Sequence, residues 1–253
     1  MNGNDINQNC AECINIEGLD FDFTFAFQPI INSAKRCITA YEALIRGAHG
    51  ESAQNVLRQV NIANRYRFDQ ACRVKAVSTA VKLGLNCDLN INFYPNAVYS
   101  PELCIRTTLK AAETFGFPIK QIVFEVTEVE RVEDTHHLIN IIDCYRNLGF
   151  RTAIDDFGAG YAGLNLLTEY QPDYIKLDRQ LIGNIDQQSA KQAIVRGIIQ
   201  VCKELDIAIL AEGIETKNEY AWLNGIGVNL FQGYYFARPK IENLPEVSTE
   251  LYL

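Results

Sequence analysis

The fold is decided by a run in the middle of the chain that reads Thr152-Ala153-Ile154-Asp155-Asp156-Phe157-Gly158-Ala159-Gly160-Tyr161. Its apolar first part predicts a buried strand, and the glycines after it predict a tight turn. The strand delivers two adjacent carboxylates, Asp155 and Asp156, to its end, where they repel each other unless a cation intervenes. One such pair is weak evidence because loops also use Asp and Gly. Six other segments of the chain, however, end in the same way with a polar residue.

Eight segments have the composition of strands, with apolar, aromatic or β-branched cores bounded by Gly, Pro, Asn or Asp. They cover residues 23–29, 38–45, 88–94, 121–127, 151–155, 174–178, 208–212 and 230–236. Helical spacing of apolar residues occurs between most of them, over 68–83, 101–115, 135–148, 190–205 and 219–223. This alternation predicts an α/β fold with parallel strands, either a TIM-like (β/α)8 barrel or, as the second choice, an open doubly wound sheet.

The first two predicted strands are joined only by Asn32-Ser33-Ala34-Lys35. This connection is too short for the crossover helix that parallel neighbours need. We therefore expect an antiparallel hairpin and an irregular barrel with an antiparallel first strand. The expected organisation is a polar lead over residues 1–22, one domain over 23–240 and a tail over 241–253.

Composition limits the class of protein. The 253 residues are 48% hydrophobic, enough to close one barrel around its own core. The net charge of -8 argues against a nucleic-acid polymer as the ligand, so a phosphate-bearing ligand would need help from metal ions. We expect no membrane segment and no signal peptide, because no apolar stretch is long enough and the first residues are polar. These features predict a cytoplasmic protein.

The eight cysteines are scattered through the predicted elements, which is typical of reduced thiols rather than a disulfide framework. Cys10 and Cys13 form an isolated CxxC in the polar lead. With no second CxxC beside it, this motif is weak evidence for zinc binding or redox chemistry.

The carboxyl-terminal parts of the predicted strands carry polar residues: Glu42, Asn92, Glu125, Asp155 with Asp156, Lys176, Glu212 and Gln232. In a barrel of parallel strands these ends share one mouth. Each residue taken alone could be structural, because ion pairs also occupy strand ends. Together, however, the carboxylates would repel by several kcal/mol per close pair unless protons or cations lie between them.

The candidate metal ligands all offer oxygen: Glu42, Asn92, Glu125, Asp155, Asp156 and Glu212. Such hard donors favour Mg²⁺ or Mn²⁺ over zinc or copper. Six residues exceed what one Mg²⁺ uses, since that ion keeps several waters. Two ions bridged by Asp155 therefore fit the set better than one.

The motif Tyr41-Glu42-Ala43-Leu44-Ile45-Arg46-Gly47 resembles the signature of the EAL domains, the phosphodiesterases of bacterial cyclic di-GMP. Further matching motifs follow in order: Asn90-Ile91-Asn92, Glu125-Val126-Thr127-Glu128, Asp155-Asp156-Phe157-Gly158, Lys176-Leu177-Asp178-Arg179, Ala211-Glu212-Gly213-Ile214-Glu215 and Gln232-Gly233-Tyr234. The resemblance spans about residues 23–240. It implies metal-dependent hydrolysis of cyclic di-GMP to linear pGpG.

The resemblance also implies roles for single residues. One metal would be held by Glu42, Asn92, Glu125 and Asp155, and the second by Asp155, Asp156 and Glu212. Lys176 would orient the attacking water, and either Lys176 or Glu212 would take its proton. Gln28, Leu44, Arg46 and Gln232 would lie on the substrate side, with Arg46 on a phosphate. Glu128 would hold the loop over 157–164, and Glu215 would support the site. Ca²⁺ would bind but support little hydrolysis. Residues 161–170 would form the contact between the two chains of a homodimer.

Small departures from the family pattern remove no ligand. Ala159 stands where Thr is usual, Ala162-Gly163 replaces a Ser pair, and Phe93-Tyr94 replaces Leu-Ser. Ala159 lacks a hydroxyl that could tether the loop.

Three other classes of function compete with this one. A non-catalytic receptor for cyclic di-GMP, or a protein-interaction domain, would usually lack a ligand residue. A Schiff-base aldolase would need a neutral Lys176, which Asp178 disfavours. A nucleotide-cofactor oxidoreductase is disfavoured because the two aspartates before Gly158 would repel a pyrophosphate.

Overall fold

The computed structural model describes residues 19–127, 135–159 and 163–252. The strands of this part of the chain are β1 (Phe23–Asn32), β2 (Cys37–Gly47), β3 (Asp88–Asn92), β4 (Ile122–Thr127), β5 (Arg151–Phe157), β6 (Tyr174–Leu177), β7 (Ala208–Ala211), β8 (Leu230–Phe231) and β9 (Lys240–Ile241). The helices are α1 (Ala53–Leu57), α2 (Arg65–Lys82), α3 (Pro101–Cys104), α4 (Arg106–Phe115), α5 (Thr135–Asn147), α6 (Gly163–Glu169), α7 (Arg179–Ile182), α8 (Ser189–Glu204) and α9 (Lys217–Gly225). Cys10, Cys13 and Glu128 lie outside the described residues.

The strands close into a barrel. The order is β2-β3-β4-β5-β6-β7-β8-β1, and β1 also pairs with β2, so the sheet has no open end there. Neighbours from β2 to β8 are parallel, whereas β1 is antiparallel to both β2 and β8. The predicted irregular (β/α)8 barrel with an antiparallel first strand is confirmed, and the open doubly wound sheet was the wrong alternative.

Two apolar cores lie on the two faces of this closed sheet. The larger one packs the outer face of the strands against the helices. The smaller one gathers inward residues from several strands: Ile30, Ala40, Val123, Ala153, Tyr174 and Leu210. Because side chains alternate between the faces of a strand, the residue two positions further along points into the barrel again. The small core therefore forms a floor beneath the mouth.

Some elements differ from those predicted. The expected strand over 230–236 pairs only at Leu230–Phe231. The chain leaves the sheet there to hydrogen-bond Ile214, whose amide donates to the Gln232 carbonyl at 3.0 Å and whose carbonyl accepts from the Tyr235 amide at 2.9 Å. A Cβ at Gly233 would lie 2.1 Å from the Ile214 carbonyl oxygen, so only glycine permits this approach. The expected helix over 101–115 divides at Ile105 into α3 and α4, and α1, α6 and α7 were not predicted.

The residues after the predicted domain pack on the barrel. Strand β9 pairs antiparallel with the middle of β1, and the Tyr41 hydroxyl donates to the Pro245 carbonyl at 2.8 Å. Within the described part of the chain, we find no helix with the length and hydrophobicity needed to span a membrane.

Candidate active site

From most strands, a polar residue of the mouth follows an apolar residue of the floor by two positions, so both sets face inward. The pairs are Ala40 and Glu42, Val123 and Glu125, Ala153 and Asp155, Tyr174 and Lys176, Leu210 and Glu212, and Leu230 and Gln232. On the reversed strand β1 the polar partner comes first, with Gln28 two residues before Ile30. Strand alternation and the shared strand direction thus bring together side chains that are far apart in sequence.

Lys176 lies at the centre of this group. Its Nζ atom is 3.2 Å from Glu42 Oε2, 3.0 Å from Glu125 Oε2, 2.9 Å from Asp155 Oδ1 and 3.0 Å from Glu212 Oε2. The side chain is only 1% exposed. Asp178, whose charge the sequence predicts to disfavour a neutral Lys176, caps α7 by accepting a hydrogen bond from the Gln180 amide at 2.7 Å.

The charges around Lys176 control its protonation. Burial alone would lower the pKa of Lys176, but the surrounding carboxylates outweigh burial and raise its pKa well above the ordinary value. The amine therefore keeps its proton at neutral pH. This disfavours the Schiff-base reaction, which needs a neutral amine.

The carboxylates differ strongly in acidity. Burial works to raise the pKa of Glu42, but the charge of Lys176 and hydrogen bonds from Gln232 and Asn92 bring it below the ordinary value. Burial raises the pKa of Glu125 well above its usual range and that of Glu212 to about 8. Four carboxylates therefore exceed what one ammonium group can balance, and part of the set holds protons when no other cation is bound.

Side-chain amides hold Glu42 in place. Asn92 Nδ2 donates to Glu42 Oε1 at 2.9 Å, and Gln232 Nε2 donates to Glu42 Oε2 at 2.7 Å. Gln232 Nε2 also reaches Gln28 Oε1 at 3.1 Å, and Gln28 Nε2 donates to the Ala237 carbonyl at 3.1 Å. These amides and Glu42 join β1, β2 and β3 to the residue that follows β8.

Two groups of carboxylates have the spacing of metal ligands. One oxygen each of Glu42, Glu125 and Asp155 lie within 4.8 Å of one another, and the same holds for Asp155, Asp156 and Glu212. Asp155 belongs to both groups. Asp156 adopts a positive φ of 53°, which an L residue rarely does, and burial followed by the neighbouring Asp155 raises its pKa to about 6. The oxygen-only donor set and the unbalanced charge both fit hard divalent cations.

The mouth opens into a cavity of about 400 Å³. Its lining comprises Gln28, Glu42, Leu44, Asn92, Asp155, Lys176, Arg179, Glu212, Gly213, Glu215, Gln232, Gly233 and Tyr234. Most of the site residues predicted from the sequence are therefore brought together, and Glu125 lies beneath them on Lys176. Arg46 is not among the lining residues, and its guanidinium donates to the Ile45 carbonyl at 2.7 Å. The structure places these side chains, whereas their individual roles stay predictions.

Two polar residues at the site received no role from the sequence. Arg179 lines the cavity, donating to the Gly213 carbonyl at 2.5 Å and to Glu215 Oε2 at 2.7 Å. Asn90 donates from Nδ2 to Glu125 Oε1 at 2.5 Å and contacts the Tyr174 hydroxyl. The sequence could have indicated Asn90 as a residue of the site, because it lies two residues before Asn92 and therefore on the same inward face of β3.

The fold and the site define an α/β barrel whose acidic mouth offers only oxygen ligands, among the described residues, to divalent cations. Residues 19–239 match the EAL domain family, and the chain belongs to this family.

Among curated relatives, the blue light- and temperature-regulated antirepressor BluF of Escherichia coli K12 is 32% identical over 88% of this chain and 56% of its own length. The probable cyclic di-GMP phosphodiesterase PdeG of the same organism is 28% identical over 84% of this chain and 44% of its own length. The chain thus spans about half the length of these relatives.

Solved structures give the same assignment. A standalone versatile EAL protein from Vibrio cholerae O395, in its c-di-GMP-bound form, is 54% identical with a TM-score of 0.90. The match covers 92% of this chain and 99% of that one. BlrP1 from Klebsiella pneumoniae, in a complex with manganese and cyclic di-GMP, is 36% identical with a TM-score of 0.84, over 90% of this chain and 58% of its own.

Proposed function

We propose that the protein is a metal-dependent phosphodiesterase that hydrolyses cyclic di-GMP to linear pGpG. The observation that carries this proposal is the pair of carboxylate groups at the mouth, which share Asp155 and lie within ligand spacing. Support comes from relatives named as cyclic di-GMP phosphodiesterases and from EAL structures that contain cyclic di-GMP. The relatives are longer than this chain, so the activity is carried over as a proposal.

Two ions of Mg²⁺ or Mn²⁺ fit the donor set. Glu42, Asn92, Glu125 and Asp155 would hold one, while Asp155, Asp156 and Glu212 would hold the other. When bound, the ions would neutralise charge on the phosphodiester and lower the pKa of a bound water. Ca²⁺ is larger and accepts looser geometry, so we expect it to bind and support little turnover. BlrP1 has also been solved with calcium and cyclic di-GMP.

Lys176 and Glu212 are the proposed catalytic residues. Lys176 holds its proton because its pKa is raised, so its Nζ would orient the attacking water and donate hydrogen bonds to it. Burial raises the pKa of Glu212 to about 8 when no cation is bound, so binding of the second ion would displace its proton and leave a carboxylate. We propose that this Glu212 carboxylate takes the proton of the attacking water.

Other residues in or near the cavity would bind the dinucleotide. Gln28 and Gln232 present amides to the cavity, and Leu44 supplies an apolar contact. Arg46 lies two residues after Leu44 on the same strand and would turn away from the Ile45 carbonyl to meet a phosphate. Glu215, held by Arg179, would support the rim. The role proposed for Glu128 concerns a residue outside the described part of the chain.

The test is direct. Protein purified with EDTA is incubated with cyclic di-GMP in buffer alone, with Mg²⁺, with Mn²⁺ and with Ca²⁺, and the products are separated by liquid chromatography. We expect pGpG with Mg²⁺ or Mn²⁺ and little with Ca²⁺. Absence of pGpG with both Mg²⁺ and Mn²⁺ would contradict the proposal.

Matched variants locate the activity. Glu42→Gln and Asp155→Asn each remove one ligand charge with little change in shape, and each should lower the rate by at least about 100-fold. Glu204→Gln makes the same chemical change on the exposed face of α8 and should leave the rate unchanged. If either ligand variant keeps the wild-type rate, the substituted residue is not part of the metal site.

A second candidate function is a non-catalytic receptor for cyclic di-GMP or an interaction domain. The observation that favours it is the 32% identity with BluF, which is named as an antirepressor. Calorimetric titration with cyclic di-GMP in Mg²⁺ separates the two functions. Tight binding without pGpG after several hours would favour the receptor.

We also propose a homodimer through residues 161–170. Helix α6 lies in this segment and leaves Leu164 52% exposed, while residues 161 and 162 are outside the described part of the chain. Sedimentation should give twice the chain mass, whereas a fully active monomer would overturn this proposal. The cytoplasmic location and the absence of nucleic-acid polymers as ligands stay predictions.

A further inference from the structure

A buried ion pair lies outside the cavity, between α2 and the barrel. Asp69 and Arg73 are one helical turn apart on α2, and Arg73 Nη2 is 2.7 Å from Asp69 Oδ2. Their side chains are 1% and 0% exposed. Arg73 Nη1 also donates to the Tyr145 hydroxyl of α5 at 2.8 Å. The pair therefore ties two helices together in a region that the proposed reaction does not use.

The guanidinium of Arg73 lies directly behind two of the proposed metal ligands. Its central carbon is 5.2 Å from the centre of the Phe93 ring and 5.1 Å from that of Phe124. Phe93 follows Asn92, and Phe124 precedes Glu125. Because neighbouring side chains point to opposite faces, the rings lie outside the barrel while Asn92 and Glu125 point inward. Asn92 and Glu125 are also direct neighbours in the sheet.

Asp69 reaches the backbone just beyond Asn92. Its Oδ1 atom accepts a hydrogen bond from the Tyr94 amide at 3.1 Å. Strand β3 ends at Asn92, so this contact holds the chain at the point where the sheet releases it. On the inner side, the Asn92 amide group donates to Glu42. Asn92 is therefore restrained from the mouth by Glu42 and from behind by Asp69.

Stability alone does not account for such a pair. Replacing a buried ion pair by apolar side chains of similar volume is often neutral or stabilising, whereas removing one partner is harmful. An apolar pair could fill the same space between α2 and the barrel. Such an apolar pair could not, however, accept the hydrogen bond that the Tyr94 amide donates to Asp69. Of the contacts made by the ion pair, this one lies nearest in sequence to the proposed ligand Asn92.

We propose that Asp69 is a positioning residue that sets Asn92 for metal binding through the Tyr94 amide, and that Arg73 balances the buried charge of Asp69. This inference rests on the proposed metal site and assigns part of its geometry to a helix outside the cavity. Groups that support metal ligands from behind typically change metal affinity by about 10–100-fold when removed.

Two double variants separate positioning from stability. D69L/R73M removes both charges and the acceptor of the Tyr94 amide. D69N/R73M also removes both charges but keeps a side-chain oxygen at residue 69 that can accept from this amide. Neither variant leaves a single unpaired charge, so both are expected to fold. Circular dichroism and thermal unfolding in EDTA verify this.

The measurement is Mn²⁺ affinity by calorimetric titration of the whole protein, without substrate. We expect D69L/R73M to bind Mn²⁺ about 10–100-fold more weakly than wild type, and D69N/R73M to remain within about threefold. Turnover of cyclic di-GMP should recover at high Mn²⁺ in D69L/R73M, because the chemistry itself is unchanged. Equal Mn²⁺ affinity of both variants, whether normal or weakened, would overturn the proposal.

Hydrogen exchange of the wild-type protein supplies a test that does not depend on the variants folding. The Tyr94 amide should exchange as slowly as the amides of β3 and β4, because it is bonded to a buried carboxylate. Exchange at the rate of an exposed loop would overturn the inference. If the wild-type protein does not bind Mn²⁺, the proposed metal site is overturned together with this inference. If the wild-type protein binds Mn²⁺ but the two double variants have equal Mn²⁺ affinity, only this inference is overturned.

Discussion

Replacing Lys176 by Met tests the balance of charge at the barrel mouth. The substitution keeps the length of the side chain and removes the ammonium group that lies 2.9–3.2 Å from four carboxylates. At an effective dielectric constant of about 20, each contact of about 3 Å is worth roughly 5 kcal/mol of Coulomb energy. Desolvation of the ammonium group and repulsion among the carboxylates offset much of this sum.

The net effect follows from buried ion pairs in general. Removing one partner of such a pair lowers the free energy of unfolding by about 3–5 kcal/mol. For a domain of this size, 1 kcal/mol corresponds to about 2–4 °C in the melting temperature, so the variant should melt about 10 °C lower. The measurement is thermal unfolding by circular dichroism in EDTA at pH 8.

The control is Lys75→Met, which makes the same substitution in a surface pair. Lys75 Nζ lies 2.8 Å from Asp22 Oδ1, and both side chains are substantially exposed. Such a pair contributes about 1 kcal/mol or less, so this variant should melt within about 3 °C of wild type. Equal melting temperatures of Lys176→Met and wild type at pH 8 would refute the reasoning.

The pH dependence of Lys176→Met has a definite sign. Without the ammonium group, the folded protein keeps protons on carboxylates that the unfolded chain has already lost. Stability falls with rising pH wherever the folded state binds more protons, so the deficit relative to wild type should be larger at pH 8 than at pH 5. A divalent cation can take the place of the lost charge. Mn²⁺ should therefore raise the melting temperature more in the variant than in wild type.

Further predictions concern protons and packing. Metal binding must displace the protons that burial keeps on Asp156 and Glu212, whose pKa values are raised to about 6 and about 8, so Mn²⁺ affinity should rise with pH from 6 to 8. A Mn²⁺ affinity, measured by calorimetry, that does not change between pH 6 and pH 8 would contradict this prediction. Gly233→Ala places a Cβ 2.1 Å from the Ile214 carbonyl oxygen and should lower the free energy of unfolding in urea by about 3 kcal/mol or more. Gly197→Ala, on α8 with nothing within 4 Å, is its control and should stabilise the protein by about 0.5–1 kcal/mol.

The parts of the fold that follow from local rules were predictable. An apolar run ending in Asp and Gly marks β5, and the four-residue connection forces β1 and β2 into a hairpin. The same rules place the polar residues at the ends of the strands. Once a barrel was expected, the sequence could therefore predict which side chains lie at its mouth. Short elements such as α1 and α7 could not, because they contain too few residues for a helical period to show.

The roles of charged groups depended on contacts between distant segments. From the sequence, Asp178 was a reasonable partner for Lys176, two residues away. The barrel instead brings Lys176 to Glu42, 134 residues away in sequence. Arg73 carries no sequence signal of burial, since arginine is usually exposed. It nevertheless lies against three aromatic rings, from Phe93 directly after β3, Phe124 of β4 and Tyr145 of α5.

Sequence by itself therefore determined which residues face inward and which strands run parallel, because alternation and connection length are properties of neighbouring residues. Only the tertiary structure decided that Lys176 balances four carboxylates, that Asp155 belongs to both ligand groups, and that Asp69 reaches the backbone beyond Asn92. The physical reason is that closing the barrel sets distances between segments far apart in the chain. Electrostatic interactions and hydrogen bonds depend on those distances.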